Sequence, residues 1–160
     1  PLLNDSKKIT ETNRNDLRKI IESEFDHWAV GFVFPQEIDE INILNASFLA
    51  MHRALEALKC IPKLILVDGN RFNPYRDMPF ECVIKGDGKF SSIAAASILA
   101  KTHRDEFMQK IHVEYPNYEW DRNKGYPTVK HREAIGLHGP CIHHRKSFRL
   151  LPAQPELFSK

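Results

Sequence analysis

Two aspartates occupy positions from which a carboxylate can do chemistry. Asp68 directly follows a short apolar run at residues 64–67, and Asp105 lies in a segment of helical pattern, four residues after Lys101. Carboxylates of this kind can hold Mg²⁺, which takes oxygen ligands and keeps several of its waters, and two such ions can promote phosphodiester hydrolysis. Position alone leaves other roles open, since Asp68 can serve as a turn residue and Asp105 as a surface partner of Lys101.

A glycine-rich segment, KGDGK at residues 85–89, precedes the longest helical pattern of the chain. Backbone N–H groups and lysines at the start of a helix can contact phosphate. A plain glycine-rich turn explains the segment equally well, and it is not a P-loop, because the G-K-[ST] ending is missing.

Histidines and cysteines concentrate near the C-terminus, but their spacing fits no standard zinc site. They are His131, His138, Cys141, His143 and His144. Polar or phosphate-contacting roles are therefore favoured over zinc. The three cysteines lie far apart without a C-x-x-C pair, which indicates reduced thiols and a cytoplasmic protein.

The composition is that of an ordinary soluble domain, with 42% hydrophobic and 28% charged residues. No apolar run is long enough to span a membrane. The net charge is only +2, but residues 120–160 carry eight basic and three acidic side chains. This basic region can be a face that binds a polyanion or simply solvated surface charge.

Four elements are predicted in the first part of the chain. Thr10 is expected to cap a helix to about residue 23, and the aromatic and β-branched residues 27–34 predict a strand. Pro35 is expected to open a short helix. Asn45 is expected to cap a longer helix that ends near residue 59.

Strands alternate with helices further along the chain. The pattern predicts a buried strand at residues 64–67, a loop at 70–79, another strand at 81–84 and a long helix from 91 to about 115. A turn at 125–128 is followed by a helix to about residue 137. This order indicates one α/β domain over residues 1–150 and a tail at 151–160.

An ordered series of motifs along residues 2–150 resembles ribonuclease HII. The series comprises LVDGN at 66–70, KGD at 85–87, SIAAASILAK at 92–101, RD at 104–105, KGYPTxxH at 124–131 and HGx₄HRxSF at 138–148. LNDSKK at residues 3–8 resembles the loop that follows the opening hairpin of that family.

The resemblance implies an α/β fold with a ribonuclease H-like mixed sheet flanked by helices. It also implies an endonuclease that depends on Mg²⁺ or Mn²⁺. The substrate would be RNA in RNA–DNA hybrids or single ribonucleotides in duplex DNA. Cleavage with two metal ions would leave a 3′-hydroxyl and a 5′-phosphate.

The resemblance assigns roles to individual residues. Asp68 and Asp105 match two of the family's four catalytic carboxylates, and Tyr126 matches the tyrosine that packs on the sugar next to the ribonucleotide. Residues expected to contact the nucleic-acid backbone are Ser6, Lys7, Lys124, His144 and Arg145.

One departure from the family pattern affects the expected activity. The opening strand with an Asp-Glu pair and a Gly-Arg-Gly loop has no match here, so we expect the N-terminal strands to be absent from this chain and its cleavage to be weak or lacking. The alternative is a module that binds hybrids or duplexes without cutting them. A third interpretation is an unrelated α/β domain in which the aspartates are structural.

The tail contains a second short motif. Gln154, Leu157 and Phe158 form a Q-x-x-L-F pattern that resembles the peptide with which bacterial replication proteins bind the sliding clamp. A terminal tail is accessible to such a partner. The alternative is a tail without a partner.

Overall fold

The structure is a computed structural model that describes residues 9–151. Two compact units make up the chain. The first comprises Pro1–Val33 and Leu44–Arg104, and the second comprises Phe34–Ile43 and Asp105–Lys160. Each unit has its own hydrophobic core.

Helix α1, Glu11–Glu24, begins where the sequence predicts it. The Thr10 side chain accepts a hydrogen bond from the Asn13 N–H at 3.3 Å, which satisfies one of the unpaired donors of the first turn. Its buried residue Ile21 packs in a cluster with Ile98 and Leu99 of the same unit.

The prediction of a strand at residues 27–34 is wrong, because these residues form neither helix nor strand. A strand requires a ladder of hydrogen bonds to a neighbour, and residue types alone cannot supply that neighbour. The segment is held in the first unit by other contacts. Arg53 donates from Nη1 to the Phe32 carbonyl at 2.7 Å, and Gly31 approaches a helix so closely that an added Cβ would lie 2.0 Å from the Ala50 carbonyl oxygen.

Helix α2, Pro35–Ala57, contains a break at Asn42, whose φ of 67° and ψ of 166° are not helical. Pro35 at the first position is confirmed. Two helical segments are also confirmed, but the break lies three residues before the predicted cap at Asn45. The Glu37 carboxylate accepts the Phe34 N–H at 3.1 Å and so satisfies a donor at the helix start.

Strands β1, Ile65–Asp68, and β2, Phe80–Val83, form a parallel pair in the first unit. The register aligns Ile65 with Phe80 and Asp68 with Val83. Both strands are confirmed with bounds shifted by one residue. Within residues 9–151 the sheet has these two strands only, so the antiparallel pairing expected of a mixed sheet is not seen there.

The core of the first unit lies beside this sheet. Buried Ile65 and Val67 pack with Phe48 of α2 and with Phe72 and Tyr75 of the loop that joins the strands. Two aromatic side chains therefore anchor the connecting loop. This anchoring fixes where β1 ends and the following residues turn away.

Helix α3, Ser91–Glu114, confirms the long helix predicted from residue 91. One face of its first half is buried in the first unit through Ile93, Ala94, Ile98 and Leu99, with Ala94 and Ile98 fully inaccessible. Its last part, from Asp105 onward, belongs to the second unit.

The second unit continues with a 3-10 turn at Pro116–Tyr118, α4 at Trp120–Asn123 and α5 at Val129–His138. The Thr128 side chain caps α5 by accepting the His131 N–H at 3.2 Å, as the sequence predicts. The unit's core consists of Met108, Ile111, Tyr118, Trp120, Ala134 and Ile135.

Candidate active site and nucleic-acid interface

Asp68 is the last residue of β1, and its carboxylate is exposed. Its Oδ1 accepts a hydrogen bond from the Gly86 N–H at 2.9 Å, while the Gly69 N–H donates to the Val83 carbonyl at 3.0 Å. These two bonds connect the end of β1 to the last residue of β2 and to the turn that follows it. An ionised carboxylate has about four acceptor sites, so the contact with Gly86 orients Asp68 and leaves capacity for a cation.

The glycine-rich segment after β2 is a tight turn in which Gly86 has no room for a side chain. Lys85 adopts a left-handed conformation with φ of 56°, and Gly86 is buried. A Cβ added at Gly86 would lie 2.5 Å from Cδ1 of Ile93. The turn therefore places the Gly86 N–H against Asp68 and exposes the cationic side chains of Lys85 and Lys89.

Asp105 is buried in the second unit, with 7% of its surface exposed. This burial differs from the exposed position expected of a surface residue. Burying a carboxylate is unfavourable unless a partner or a cation compensates it. One turn earlier, buried Thr102 donates its hydroxyl to the Ile98 carbonyl at 2.8 Å.

The two aspartates lie in different units of the chain. Among residues 9–151, no group of three or more histidines, cysteines, aspartates or glutamates is arranged to hold a metal ion. The two carboxylates nevertheless offer the hard oxygen donors that Mg²⁺ and Mn²⁺ prefer. Water and substrate oxygens can complete such a coordination shell.

Tyr126 extends from a turn between α4 and α5 and is 62% exposed. The turn contains two consecutive left-handed residues, Lys124 with φ of 49° and Gly125 with φ of 81°. Buried Asn123 closes it, since its Oδ1 accepts the Gly125 N–H at 2.8 Å and its carbonyl accepts the Tyr126 N–H at 2.8 Å. A large aromatic ring is thus presented to solvent from a fixed backbone.

The phosphate contact predicted for His144 does not fit its position, because the imidazole is buried. Its Nδ1 accepts the Cys141 N–H at 3.0 Å, and its ring stacks on His131 with centroids 5.2 Å apart. Burial, reinforced by His131, lowers the pKa of His144 to about 4. A neutral, enclosed imidazole supports the core and offers no cation to phosphate.

Arg145 lies next to His144 in a loop that α2 holds in place. Its guanidinium stacks over the Phe148 ring at 3.6 Å from the centroid. Asp39 of α2 accepts hydrogen bonds from the N–H groups of Lys146, at 2.7 Å, and Ser147, at 3.0 Å. The pKa of Asp39 is lowered mainly by a hydrogen bond from the Ser147 hydroxyl, and the two backbone bonds lower it further. The loop thereby presents the cationic side chains of Arg145 and Lys146 on an ordered backbone.

Comparison with known proteins agrees with the motif series found in the sequence. The family model of ribonuclease HII matches residues 2–151. The chain belongs to the ribonuclease HII family. Ribonuclease HII of Phocaeicola vulgatus is 62% identical over 98% of this chain and 78% of that protein. The Bacteroides fragilis ribonuclease HII is 61% identical over 99% of this chain and 80% of its own length.

A solved structure supports the fold of this ribonuclease HII family member. The crystal structure of ribonuclease H2 from Pyrococcus horikoshii matches with a TM-score of 0.72 and 27% identity, covering 91% of this chain and 76% of that one. The predicted α/β, ribonuclease H-like fold is confirmed, and so is the assignment to a family of metal-dependent endoribonucleases.

Several predicted contacts of this family member lie outside the described residues. Ser6 and Lys7 precede residue 9, and Gln154, Leu157 and Phe158 follow residue 151. Their roles stay predictions from the sequence. In the described part of the chain, no helix is long and apolar enough to cross a membrane, and the three cysteines are free thiols.

Sequence reasoning missed two residues that shape the ribonuclease HII surface. Asn123 and Asp39 both use their side chains to hold backbone N–H groups of loops. Asn before Lys-Gly is a local turn signal that was available. Asp39 gave no such signal, since its partners lie more than a hundred residues away in the sequence.

Proposed function

We propose that the protein containing this chain cleaves RNA in RNA–DNA hybrids, and single ribonucleotides embedded in duplex DNA, with Asp68 and Asp105 as ligands of Mg²⁺ or Mn²⁺. Membership of the ribonuclease HII family supports the reaction class. The observation that carries the assignment is the exposed carboxylate of Asp68, oriented at the end of β1 by the Gly86 N–H. Ligands of α/β sheets commonly bind at the carboxyl ends of strands.

The chemistry proposed is hydrolysis. The oxygen of water forms a bond to phosphorus on the 5′ side of a ribonucleotide, and the bond from phosphorus to the 3′-oxygen breaks. The products carry a 3′-hydroxyl and a 5′-phosphate. Divalent ions at such a site lower the pKa of water and stabilise the leaving oxygen.

The protein's own residues would bind and orient the substrate. Asp68 would hold a cation with the carboxylate oxygen that Gly86 does not use. Asp105 would hold a cation with its carboxylate oxygens. In the second unit, Tyr126 would pack on the sugar beside the ribonucleotide, and Lys124 and Arg145 would neutralise phosphates.

The test is a cleavage assay on three duplexes of one sequence: all DNA, DNA with one ribonucleotide, and an RNA–DNA hybrid. The proposal predicts cuts only in the ribonucleotide-containing duplexes, only with Mg²⁺ or Mn²⁺, and with ligatable 5′-phosphate ends. Cutting of the all-DNA duplex at a similar rate, or products with a 2′,3′-cyclic phosphate, would reject it.

A second candidate is binding of hybrids or duplexes without cleavage. It is favoured by the lack of a cluster of three or more ligands among residues 9–151 and by the excess of basic residues at 120–160. The same preparation decides between the two. Binding measured by fluorescence anisotropy in EDTA, followed by no cutting after Mn²⁺ is added, would favour the binding module.

We propose further that the tail docks on a sliding clamp through Gln154, Leu157 and Phe158, which would place the protein in DNA replication and repair in the cytoplasm. The proposal rests on the sequence motif. Deletion of residues 153–160 should remove clamp binding and leave duplex binding intact. Unchanged clamp affinity after the deletion would end the idea.

A further inference from the structure

We propose that Asn123 and His131 are positioning residues that fix the turn presenting Tyr126 and thereby set the affinity for ribonucleotide-containing duplexes. This inference rests on the proposed packing of Tyr126 against the substrate sugar. It adds residues that do not touch substrate themselves and act through the backbone of the turn.

Asn123 connects the turn to the interior of the second unit. It is 8% exposed, and its Oδ1 accepts the Gly125 N–H at 2.8 Å on the surface side. On the inner side, its Nδ2 donates to the Tyr118 carbonyl at 2.6 Å. One buried amide therefore fixes both ends of the connection between core and turn.

His131 reaches the same carbonyl from α5. Its Nδ1 lies 3.1 Å from the Tyr118 oxygen and 3.3 Å from Nδ2 of Asn123. The imidazole, the Asn123 amide and the Tyr118 carbonyl therefore form one buried polar cluster. His131 is 6% exposed and is itself held by the Thr128 cap of α5.

The turn requires this support because of its backbone conformation. Lys124 is a non-glycine residue at φ of 49°, followed by Gly125 at φ of 81°. A left-handed non-glycine residue costs about 1 kcal/mol or more unless its surroundings compensate. The hydrogen bonds of Asn123 supply that compensation.

The fixed turn matters for binding, because Tyr126 is 62% exposed. An aromatic ring on a flexible turn would lose conformational entropy when it packs on a substrate, whereas a preorganised one loses less. The network of Asn123 and His131 thus favours the bound arrangement of Tyr126 before the substrate arrives. The expected effect of breaking it is weaker binding, with the fold preserved.

The experiment is a double-mutant cycle on the full chain, using Asn123→Ala, Tyr126→Ala and the combination. Affinity for a duplex with one ribonucleotide is measured by fluorescence anisotropy in EDTA, so the readout does not depend on cleavage. Tyr126→Ala should weaken binding about fivefold or more, as loss of an aromatic contact does. Asn123→Ala should weaken it about threefold or more, and the double variant should bind no worse than Tyr126→Ala.

Two further variants separate positioning from general destabilisation. Asn117 is exposed in the neighbouring 3-10 turn, and Asn117→Ala should bind as the parent does. Asn123→Ser keeps a side-chain oxygen that can accept the Gly125 N–H and loses the amide that donates to the Tyr118 carbonyl, so it should retain more affinity than Asn123→Ala. If Asn123→Ala does not fold, the cycle is run with Asn123→Ser.

The outcomes are distinguishable. Parent-like binding by Asn123→Ala, or effects of Asn123→Ala and Tyr126→Ala that multiply in the double variant, would overturn the positioning role and leave the proposed function intact. Parent-like binding by Tyr126→Ala would overturn the proposed contact of Tyr126 and the inference with it.

Discussion

Lowering the pH should destabilise the folded protein through a single buried side chain, His144. Burial lowers the pKa of His144 from its usual 6.5 to about 4, with His131 and His143 contributing. Nearby, the sulfur of Cys141 accepts the His143 N–H at 3.4 Å, and burial raises the pKa of that thiol. The unfolded chain therefore binds a proton at His144 in a pH range where the folded protein does not.

The sign and size of the effect follow from proton linkage. A histidine with a depressed pKa contributes stability that is fully present above pH 6.5 and is lost as the pH falls toward 4. Between about pH 7 and pH 5, those two pKa values give a loss of about 2 kcal/mol. Domains of this size are stable by roughly 5–15 kcal/mol, so the loss is large enough to measure.

The assay is urea unfolding at about pH 7, 6 and 5, followed by tryptophan fluorescence, on the parent and on His144→Asn. The asparagine Oδ1 can still accept the Cys141 N–H but does not titrate. The variant is expected to be less stable at about pH 7, because the ring leaves a cavity. The stability difference between parent and variant should shrink by about 2 kcal/mol at about pH 5.

Exposed His27 in the first unit provides the control for loss of one histidine. His27→Asn should leave the pH dependence of the parent in place. If instead the stability curves of the parent and His144→Asn run parallel from about pH 7 to pH 5, His144 does not titrate as its burial requires, and the reasoning fails.

Two further substitutions test loops that hold functional side chains. Asp39→Asn should destabilise the protein above pH 3.8, because hydrogen bonds lower the pKa of this carboxyl. The difference in stability between parent and variant should vanish as the pH falls further. Urea unfolding measures it, and exposed Glu40→Gln is a control that should behave like the parent. Gly86→Ala should destabilise by about 1–3 kcal/mol through overpacking and weaken metal-dependent cleavage by displacing the N–H that orients Asp68. Gly88→Ala, where an added Cβ meets nothing within 4 Å, should leave both thermal stability and cleavage rate unchanged, and equal effects of the two substitutions would contradict this account.

Local signals in the sequence were sufficient for most elements. Helix caps at Thr10 and Thr128, the start of α2 at Pro35, the apolar run of β1 and the short strand β2 all depend on neighbouring residues, and each is confirmed. The predicted strand at residues 27–34 failed because strand formation depends on a partner elsewhere in the chain. Aromatic and β-branched residues describe a preference and do not provide that partner.

The residues of the candidate site show the same difference between local signals and long-range packing. Asp68 at the end of a buried strand was predictable from position, whereas the burial of Asp105 was not, because it depends on long-range packing. His144 was misjudged for the same reason, since a histidine in a basic segment can be either a surface cation or a core residue. Its position among Tyr118, Trp120 and His131 decides for the core.

The most direct test of the metal-ligand assignment compares cleavage rates of aspartate variants in a cleavage-competent protein that contains this chain. The substrate is a DNA duplex with one ribonucleotide, in the presence of Mg²⁺ or Mn²⁺. Exposed Asp77, in the loop of the first unit, provides a matched control as Asp77→Asn. We predict that Asp68→Asn and Asp105→Asn each lower the rate about a hundredfold or more while duplex binding persists and Asp77→Asn cleaves normally; cleavage near the parent rate by either variant would contradict the assignment of that aspartate.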